Sequence, residues 1–329
     1  MRRIALLGGS GQVGWELQRA LSPLAEVIVL RRDGKTHSGH PVGRGLCGDL
    51  LRPEEVAATV RQLKPDFVVN AAAYTAVDTA EREPEVAYAS NADAPGRLAA
   101  VCAELDAWLV HYSTDYVFDG SGDRAWREDD LTGPLNVYGR TKLEGEKRIR
   151  ESGCRYLVLR TSWVYSVRGT NFPKKMLKLA SERTVLEVVA DQVGAPTSAE
   201  LLADITAHAL RAVEGTTERG GIFHAAAAGE ASWHGFTRFL IECARARGWP
   251  VRVEPQDIVA VSSEAFPAVA KRPQNSRLDC HKLERAFGLR MPAWQVGVER
   301  LVDELSGALG NGLPCQPDVP PPSRSYSSS

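Results

Sequence analysis

Tyr138 and Lys142 stand four residues apart in Tyr138-Gly139-Arg140-Thr141-Lys142. That spacing puts a phenol and an ammonium on one face of a helix, where both can act on one substrate atom. Carbonyl reduction needs such a pair, because hydride goes to carbon and a proton must reach oxygen. A free phenol ionises near pH ~10, and a neighbouring ammonium favours the phenolate, so Lys142 is expected to lower the tyrosine's pKa and sharpen it as acid and base. The same lysine can hold the ribose hydroxyls of a nicotinamide cofactor. A tyrosine and a lysine at this spacing more often decorate a helix surface, so the reading needs a third group. Ser113-Thr114-Asp115-Tyr116 supplies it, directly after an apolar run and therefore at the carboxyl edge of a sheet, where ligands of such folds bind. Thr114 can hydrogen-bond a substrate oxygen as charge develops there. Ser-Thr-Asp is also an ordinary cap or turn sequence; the order of the motifs along the chain favours chemistry.

The elements that must position these residues begin with Gly8-Gly9-Ser10-Gly11-Gln12-Val13-Gly14, which follows the first apolar run and opens a helix. Glycines at 8, 11 and 14 allow a tight turn, close approach of backbone to a pyrophosphate and free N–H groups at a helix N-terminus. Glycine clusters are commonly mere turns; a strand before and a helix after single this one out as a dinucleotide loop. The second apolar run ends Leu30-Arg31-Arg32-Asp33. Guanidinium groups there suit the 2′-phosphate of NADPH, while Asp33 leaves NADH open.

Continuous apolar runs near 3–7, 26–30, 66–69, 108–112, 156–160 and 222–225 read as strands buried on both faces. Helical patterns at 13–21, 53–63, 85–105 and 138–150 separate the first five. This alternation predicts an α/β fold with a doubly wound parallel sheet of the Rossmann kind. After Ser162 the alternation weakens, with helices near 171–180, 199–213, 233–247 and 295–305 among proline-bearing loops. The expected organisation is a dinucleotide-binding domain over 1–165 with a returning strand near 221–226, a smaller region over 166–309 that is mainly substrate lobe, and a disordered tail rich in proline and serine over 310–329.

The chain of 329 residues is 43% hydrophobic and carries 40 basic against 41 acidic side chains, a formal charge of −1. It can bury a large core, and the balance gives no footprint for nucleic acid or a membrane surface. The opening apolar run is too short for a signal sequence or a span, and six scattered cysteines form no CxxC pair, so reduced thiols and a cytoplasmic setting are expected.

These motifs resemble the extended short-chain dehydrogenase/reductase superfamily and, more closely, the dTDP-4-dehydrorhamnose reductases. The resemblance rests on Gly11-Gln12-Val13-Gly14-Trp15-Glu16-Leu17, on Val69 to Asp78, on His111 to Phe118, on Leu135-Asn136-Val137-Tyr138-Gly139 and on Arg160 to Tyr165. It continues through Asp191 to Thr197, Arg272 to Leu278 and Trp294-Gln295-Val296-Gly297, covering about the first 305 residues. It implies NADPH-dependent reduction of the 4-keto group of dTDP-4-dehydro-L-rhamnose, the last step of dTDP-L-rhamnose synthesis. It further implies that Gly11, Gln12 and Val13 meet the cofactor phosphates, that Asp49 and Leu50 frame the adenine, and that Ala73, Tyr74 and Thr75 line its middle. Thr114, Asp115, Tyr138 and Trp163 would surround the deoxysugar, with Arg272 and Asn275 as further substrate contacts and Arg272 on the diphosphate. Some members join two subunits through magnesium held by glutamates; the matching residues are Glu16, Glu200 and Glu304, which suit a hard cation but are more often plain surface residues. A homodimer is expected on the same ground. Two departures stand out: Arg31 where relatives can carry an acid, and the tail beyond Gly310. The competing readings are a nucleotide-sugar epimerase or dehydratase, and a non-catalytic regulatory subunit on the same scaffold. Tyr116 rather than an acid after Asp115 counts against the dehydratase, and joint retention of Thr114, Tyr138 and Lys142 against the regulatory subunit.

Overall fold

A computed structural model describes residues 2–32, 46–214 and 220–310. Asp33 and the segment 311–329, for which sequence expectations were stated, lie outside the described residues. Strands β1 (Arg3–Leu7), β2 (Glu26–Leu30), β3 (Phe67–Asn70), β4 (Trp108–Thr114) and β5 (Arg155–Thr161) join the returning strand Gly221–His224 in one sheet. Its spatial order is returning strand, β5, β4, β3, β1, β2, and all five pairings are parallel. Each strand is apolar on both faces because helices cover both sides, as doubly wound sheets require. The order reverses between β1 and β3, which opens a crevice at their carboxyl ends.

On one face, Ile4, Leu6, Val69, Val110, Leu157 and Leu159 pack with Leu17 and Leu21 of helix α1 (Gln12–Leu21) and with Leu202, Ile205, Ala209 and Val213 of the helix Ala199–Val213. On the other, Ala5, Leu7, Val68, Leu109 and Val158 meet Val56 and Val60 of helix α2 (Pro53–Leu63) and Leu98, Val101 and Cys102 of the helix Ala94–Leu105. The sheet layer therefore reclaims a helix and a strand from the second half of the chain. A third core holds Tyr165, Phe236, Leu240, Trp294 and Val298, with helices Phe172–Glu182, Trp233–Ala246 and Trp294–Gly310 around short strand pairs.

The helical pattern over 85–105 is interrupted. Pro84–Tyr88 passes into a π turn at Ala89–Asp93 before Ala94–Leu105 resumes. Pro95 lacks the N–H that would bond the Asn91 carbonyl, so the ladder widens by one residue there. No helix among the described residues is long and apolar enough to cross a membrane.

Candidate active site

The glycine loop closes the crevice at the sheet's reversal. Gly8 has φ +77°, and a Cβ on it would lie 2.6 Å from the backbone of Ala71 and Ala72 beyond β3. A Cβ on Gly14 would fall 2.1 Å from the Gly8 carbonyl oxygen, so the turn can fold back on the first helical turn only with glycine at both positions. Gly11 donates to the Gly8 carbonyl at 2.9 Å, and helix α1 begins with neither a side-chain cap nor an acidic residue in its first turn. The backbone cradle therefore fits a pyrophosphate at Gly11, Gln12 and Val13. The Gln12 side chain points elsewhere: its carboxamide oxygen accepts from Asn171 at 2.8 Å and from Ser166 at 3.3 Å, tying the loop to the second half.

Arg31 and Arg32 follow β2, with Arg32 exposed. Gly48 packs against Leu30 and donates to the Arg31 carbonyl at 3.2 Å, which sets Asp49 and the buried Leu50 beside the same strand end. Past β3, the segment Ala73-Tyr74-Thr75 is pinned by Asn91, whose side chain accepts from Tyr74 N–H at 2.9 Å and donates to the Tyr74 carbonyl at 3.0 Å and to Thr141 at 3.2 Å. Asn91 is fully buried and escaped the sequence reading, although Pro95 inside a helical pattern marked the place.

The helix Val137–Glu151 carries Tyr138 and Lys142. Asn136 caps it by accepting from Gly139 N–H at 2.8 Å. Gly139 and Gly145 let it press inward, since a Cβ on them would stand 2.2 Å from the Tyr116 carbonyl and 2.1 Å from the Asn91 carbonyl. Thr114, 5% exposed at the end of β4, lies close enough to the Tyr138 phenol to favour its ionised form and donates to Asp115 Oδ1 at 3.1 Å. The structure brings Thr114, Asp115 and Tyr138 together at the end of β4. Tyr116 packs edge-on to Tyr138, ring centres 5.6 Å apart. Burial pushes the Asp115 carboxyl up to about 6, against opposing hydrogen bonds from Ser276 and Thr114. Its Oδ2 has no partner among the described residues.

One expectation about the phenol fails. Burial holds the Tyr138 pKa up at about 12, Thr114 opposing and Asp115 adding to the rise, and Lys142 makes no contribution to lowering it. The lysine turns away: its Nζ donates to the Tyr112 carbonyl at 2.6 Å and lies 3.0 Å from His111 Nε2. Helical spacing places the two side chains on one face, but not their end groups in contact.

Trp163 has φ +50°, a left-handed backbone rare for a bulky residue. Its indole stacks on Trp233 with centroids 3.5 Å apart and planes 9° from parallel, and Gly194 leaves room for its edge. Arg272 does not stand free: it bonds both carboxylate oxygens of Asp78, at 3.2 and 2.6 Å, and reaches the Tyr116 hydroxyl. Asn275 corrects its sequence assignment. It is 2% exposed, its amide donates to the carbonyls of Ser121 and Arg124, and its oxygen accepts from Arg277, so its polar atoms serve the loops around it instead of a ligand. Glu200 and Glu304 both pair with Arg300, at 3.2 and 2.9 Å, and Glu16 pairs with Arg19 at 3.5 Å. Arginines occupy the places a cation would take, and no group of three or more His, Cys, Asp or Glu among the described residues is arranged to hold a metal ion. The three glutamates do not fit magnesium within one chain.

A doubly wound sheet with a glycine turn at its reversal, and a Tyr/Lys helix facing a threonine at the end of the fourth strand, define a short-chain dehydrogenase/reductase of the extended kind. More narrowly, the chain belongs to the family described as the RmlD substrate binding domain, whose model matches residues 1–306. A protein of Shigella flexneri named dTDP-4-dehydrorhamnose reductase is 49% identical over 302 residues, 92% of this chain and 97% of that protein. The crystal structure of a dTDP-4-dehydrorhamnose reductase from Clostridium acetobutylicum superposes with a TM-score of 0.80 at 34% identity, covering 92% of this chain and 99% of that one. Another, from Bacillus anthracis in complex with NADP, also gives 0.80, at 32% identity and 92% and 100% coverage.

Proposed function

We propose that the protein reduces dTDP-4-dehydro-L-rhamnose to dTDP-L-rhamnose with NADPH. The observation that carries this reading is the meeting of the Thr114 hydroxyl and the Tyr138 phenol beside the carboxyl-edge crevice, in a chain whose relatives bear that activity in their names. When bound, the nicotinamide supplies hydride for the sugar's C4. Tyr138, kept protonated by burial, gives its proton to O4 as negative charge forms there. Thr114, beside the phenol, would turn its one hydroxyl proton from Asp115 Oδ1 to the same oxygen as charge develops there. The unpartnered Asp115 oxygen is an acceptor suited to a sugar hydroxyl, and Trp163 offers a flat apolar face to the deoxysugar ring. Gly8, Gly11, Gln12 and Val13 would hold the pyrophosphate, Asp49 and Leu50 the adenine end, Ala73 to Thr75 the middle and Lys142 the nicotinamide ribose.

Arg31 and Arg32 support NADPH over NADH, because a guanidinium fits the extra phosphate. A cytoplasmic setting is proposed from the scattered cysteines and pairing of two copies from the family resemblance, and sedimentation of the purified chain with and without a chelator measures the pairing. The decisive assay mixes protein, NADPH and dTDP-4-dehydro-L-rhamnose and follows NADPH absorbance. Net consumption at one NADPH per sugar supports the reductase; conversion of the sugar nucleotide without consumption supports an epimerase or dehydratase. Replacing Arg31 and Arg32 together by alanine should weaken NADPH more than NADH, and equal losses would show that they do not read the 2′-phosphate.

A further inference from the structure

Lys142, His111 and Asn70 are each 1% exposed and form a line from the catalytic helix through β4 to the end of β3. No carboxylate bonds Lys142 among the described residues. Glu146, one turn along the same helix, is bound to Arg160 of β5 at 2.6 Å. From the other elements packed on this helix, Asp78 goes to Arg272, Asp93 to Arg148, and Asp115 and Tyr116 cluster at Tyr138.

The hydrogen bonds behind the lysine run in one direction. Ala72 N–H can only donate, and its acceptor is Asn70 Oδ1 at 3.1 Å. The Asn70 amide group therefore turns to His111 and donates to Nδ1 at 3.1 Å. A neutral imidazole that accepts at Nδ1 carries its proton on Nε2. That N–H faces Lys142 Nζ at 3.0 Å, and an ammonium has three donors and no acceptor. Only the neutral amine has a lone pair to receive it, while still donating to the Tyr112 carbonyl.

We propose that the His111-bonded state of Lys142 in the cofactor-free protein is the neutral amine, and that binding of a nicotinamide dinucleotide draws the lysine off His111 as an ammonium, taking up one proton from solvent. The amine gains the proton, His111 keeps its own, and the new donors meet ribose hydroxyls. This inference rests on the assignment of the crevice to such a cofactor. His111 is then a positioning residue: it holds the lysine in a form that cannot keep its place once protonated. Burial, opposed by the charge of Glu146, also brings the Lys142 pKa down to about 8, in line with the bonding pattern.

The sign follows. A group whose pKa is higher in the complex than in the free protein binds a proton on complexation above its free value, so cofactor affinity should fall up to about tenfold per pH unit above pH ~8 and stay level below it. The 2′-phosphate, which titrates near pH ~6, is fully ionised in that range. Calorimetric titration of NADP⁺ into the full chain at about pH 9, in buffers of different ionisation enthalpy, should read close to one proton taken up, fading toward pH 7. His111→Phe should shrink the uptake and move it to higher pH. Binding without net uptake across pH 7 to about 9.5 overturns the proposal. The ¹⁵N resonance of Lys142 Nζ in the cofactor-free chain at about pH 9, assigned with Lys142→Met, gives a second reading independent of folding of the His111 variant. An amine shift supports the proposal, and an ammonium shift overturns it even if NADP⁺ fails to bind, a failure that would count against the cofactor assignment itself.

Discussion

At the scale of single residues, burial sets the site's chemistry more than proximity of opposite charge. Tyr138 is a weak acid in the cofactor-free chain because its surroundings penalise phenolate, which suits a group that must deliver a proton. Tyr138→Phe keeps the ring and its edge contact with Tyr116 but removes the proton that O4 must receive. Its kcat should fall about a hundredfold to ten-thousandfold, with NADPH affinity and melting temperature near the parental values. A variant as fast as the parent would return Tyr138 to an ordinary helix residue. Asp115 offers a test by pH. Its carboxyl, raised from 3.8 to about 6 by burial, keeps in the folded chain a proton that the unfolded chain releases between about pH 4 and 6. Stability therefore declines as pH rises through that window and carries a constant cost above it, of about 2–3 kcal/mol from the size of the shift. Asp115→Asn should be more stable than the parent at pH 7, with the gap closing toward pH 4 in urea denaturation. A gap independent of pH would mean that the carboxyl titrates normally.

At the scale of elements, the sheet was legible because strands buried on both faces read as unbroken apolar runs: 3–7 and 26–30 match β1 and β2, and 108–112 differs from β4 only at its end. Cα spacing was legible too, but end-group contacts were not. The pattern Tyr138-x-x-x-Lys142 says nothing of His111, which becomes the lysine's partner only through the pairing of β3 with β4 that sets Asn70 opposite it. The π turn was hidden for a similar reason, since a proline signals a break without saying that the freed residue is the buried Asn91 that ties two cofactor-side segments together. The same limit conceals the support of Trp163. A left-handed tryptophan costs on the order of 1–3 kcal/mol, and the Trp233 stack and the open Gly194 face hold it there. Trp233→Ala should raise KM for the sugar nucleotide about tenfold, with kcat and NADPH affinity little changed, and Trp233→Phe should recover most of the loss. If both variants bound sugar nucleotide as the parent does, Trp163 would not depend on this stack.

At the scale of the whole molecule, the candidate active site draws on residues from both halves of the chain, and a few polar contacts register one against the other. Gln12 reaches Ser166 and Asn171, Asn136 donates to the Lys271 carbonyl at 2.8 Å, and Asp78 accepts from Ala270 N–H and from Arg272. Arg272 brings a cation from the C-terminal half to the mouth of the catalytic helix, beside Tyr116. The pair with Asp78 is partly exposed, 29% and 45%, so as a stabilising contact it is worth only about 0–1 kcal/mol. Asp78 takes one edge of the guanidinium fork and the Ala270 carbonyl a further N–H at 3.3 Å, so an anion would be held by the remaining donors in exchange for the Tyr116 hydroxyl. Arg272→Ala should therefore raise KM for the sugar nucleotide at least tenfold while lowering the melting temperature by no more than a few degrees. Asp78→Asn, which loosens the aim but leaves the cation, should give a smaller rise in KM. An Arg272→Ala protein with unchanged KM and a sharply lower melting temperature would make the arginine a clasp between the halves, and the diphosphate would have to be held elsewhere.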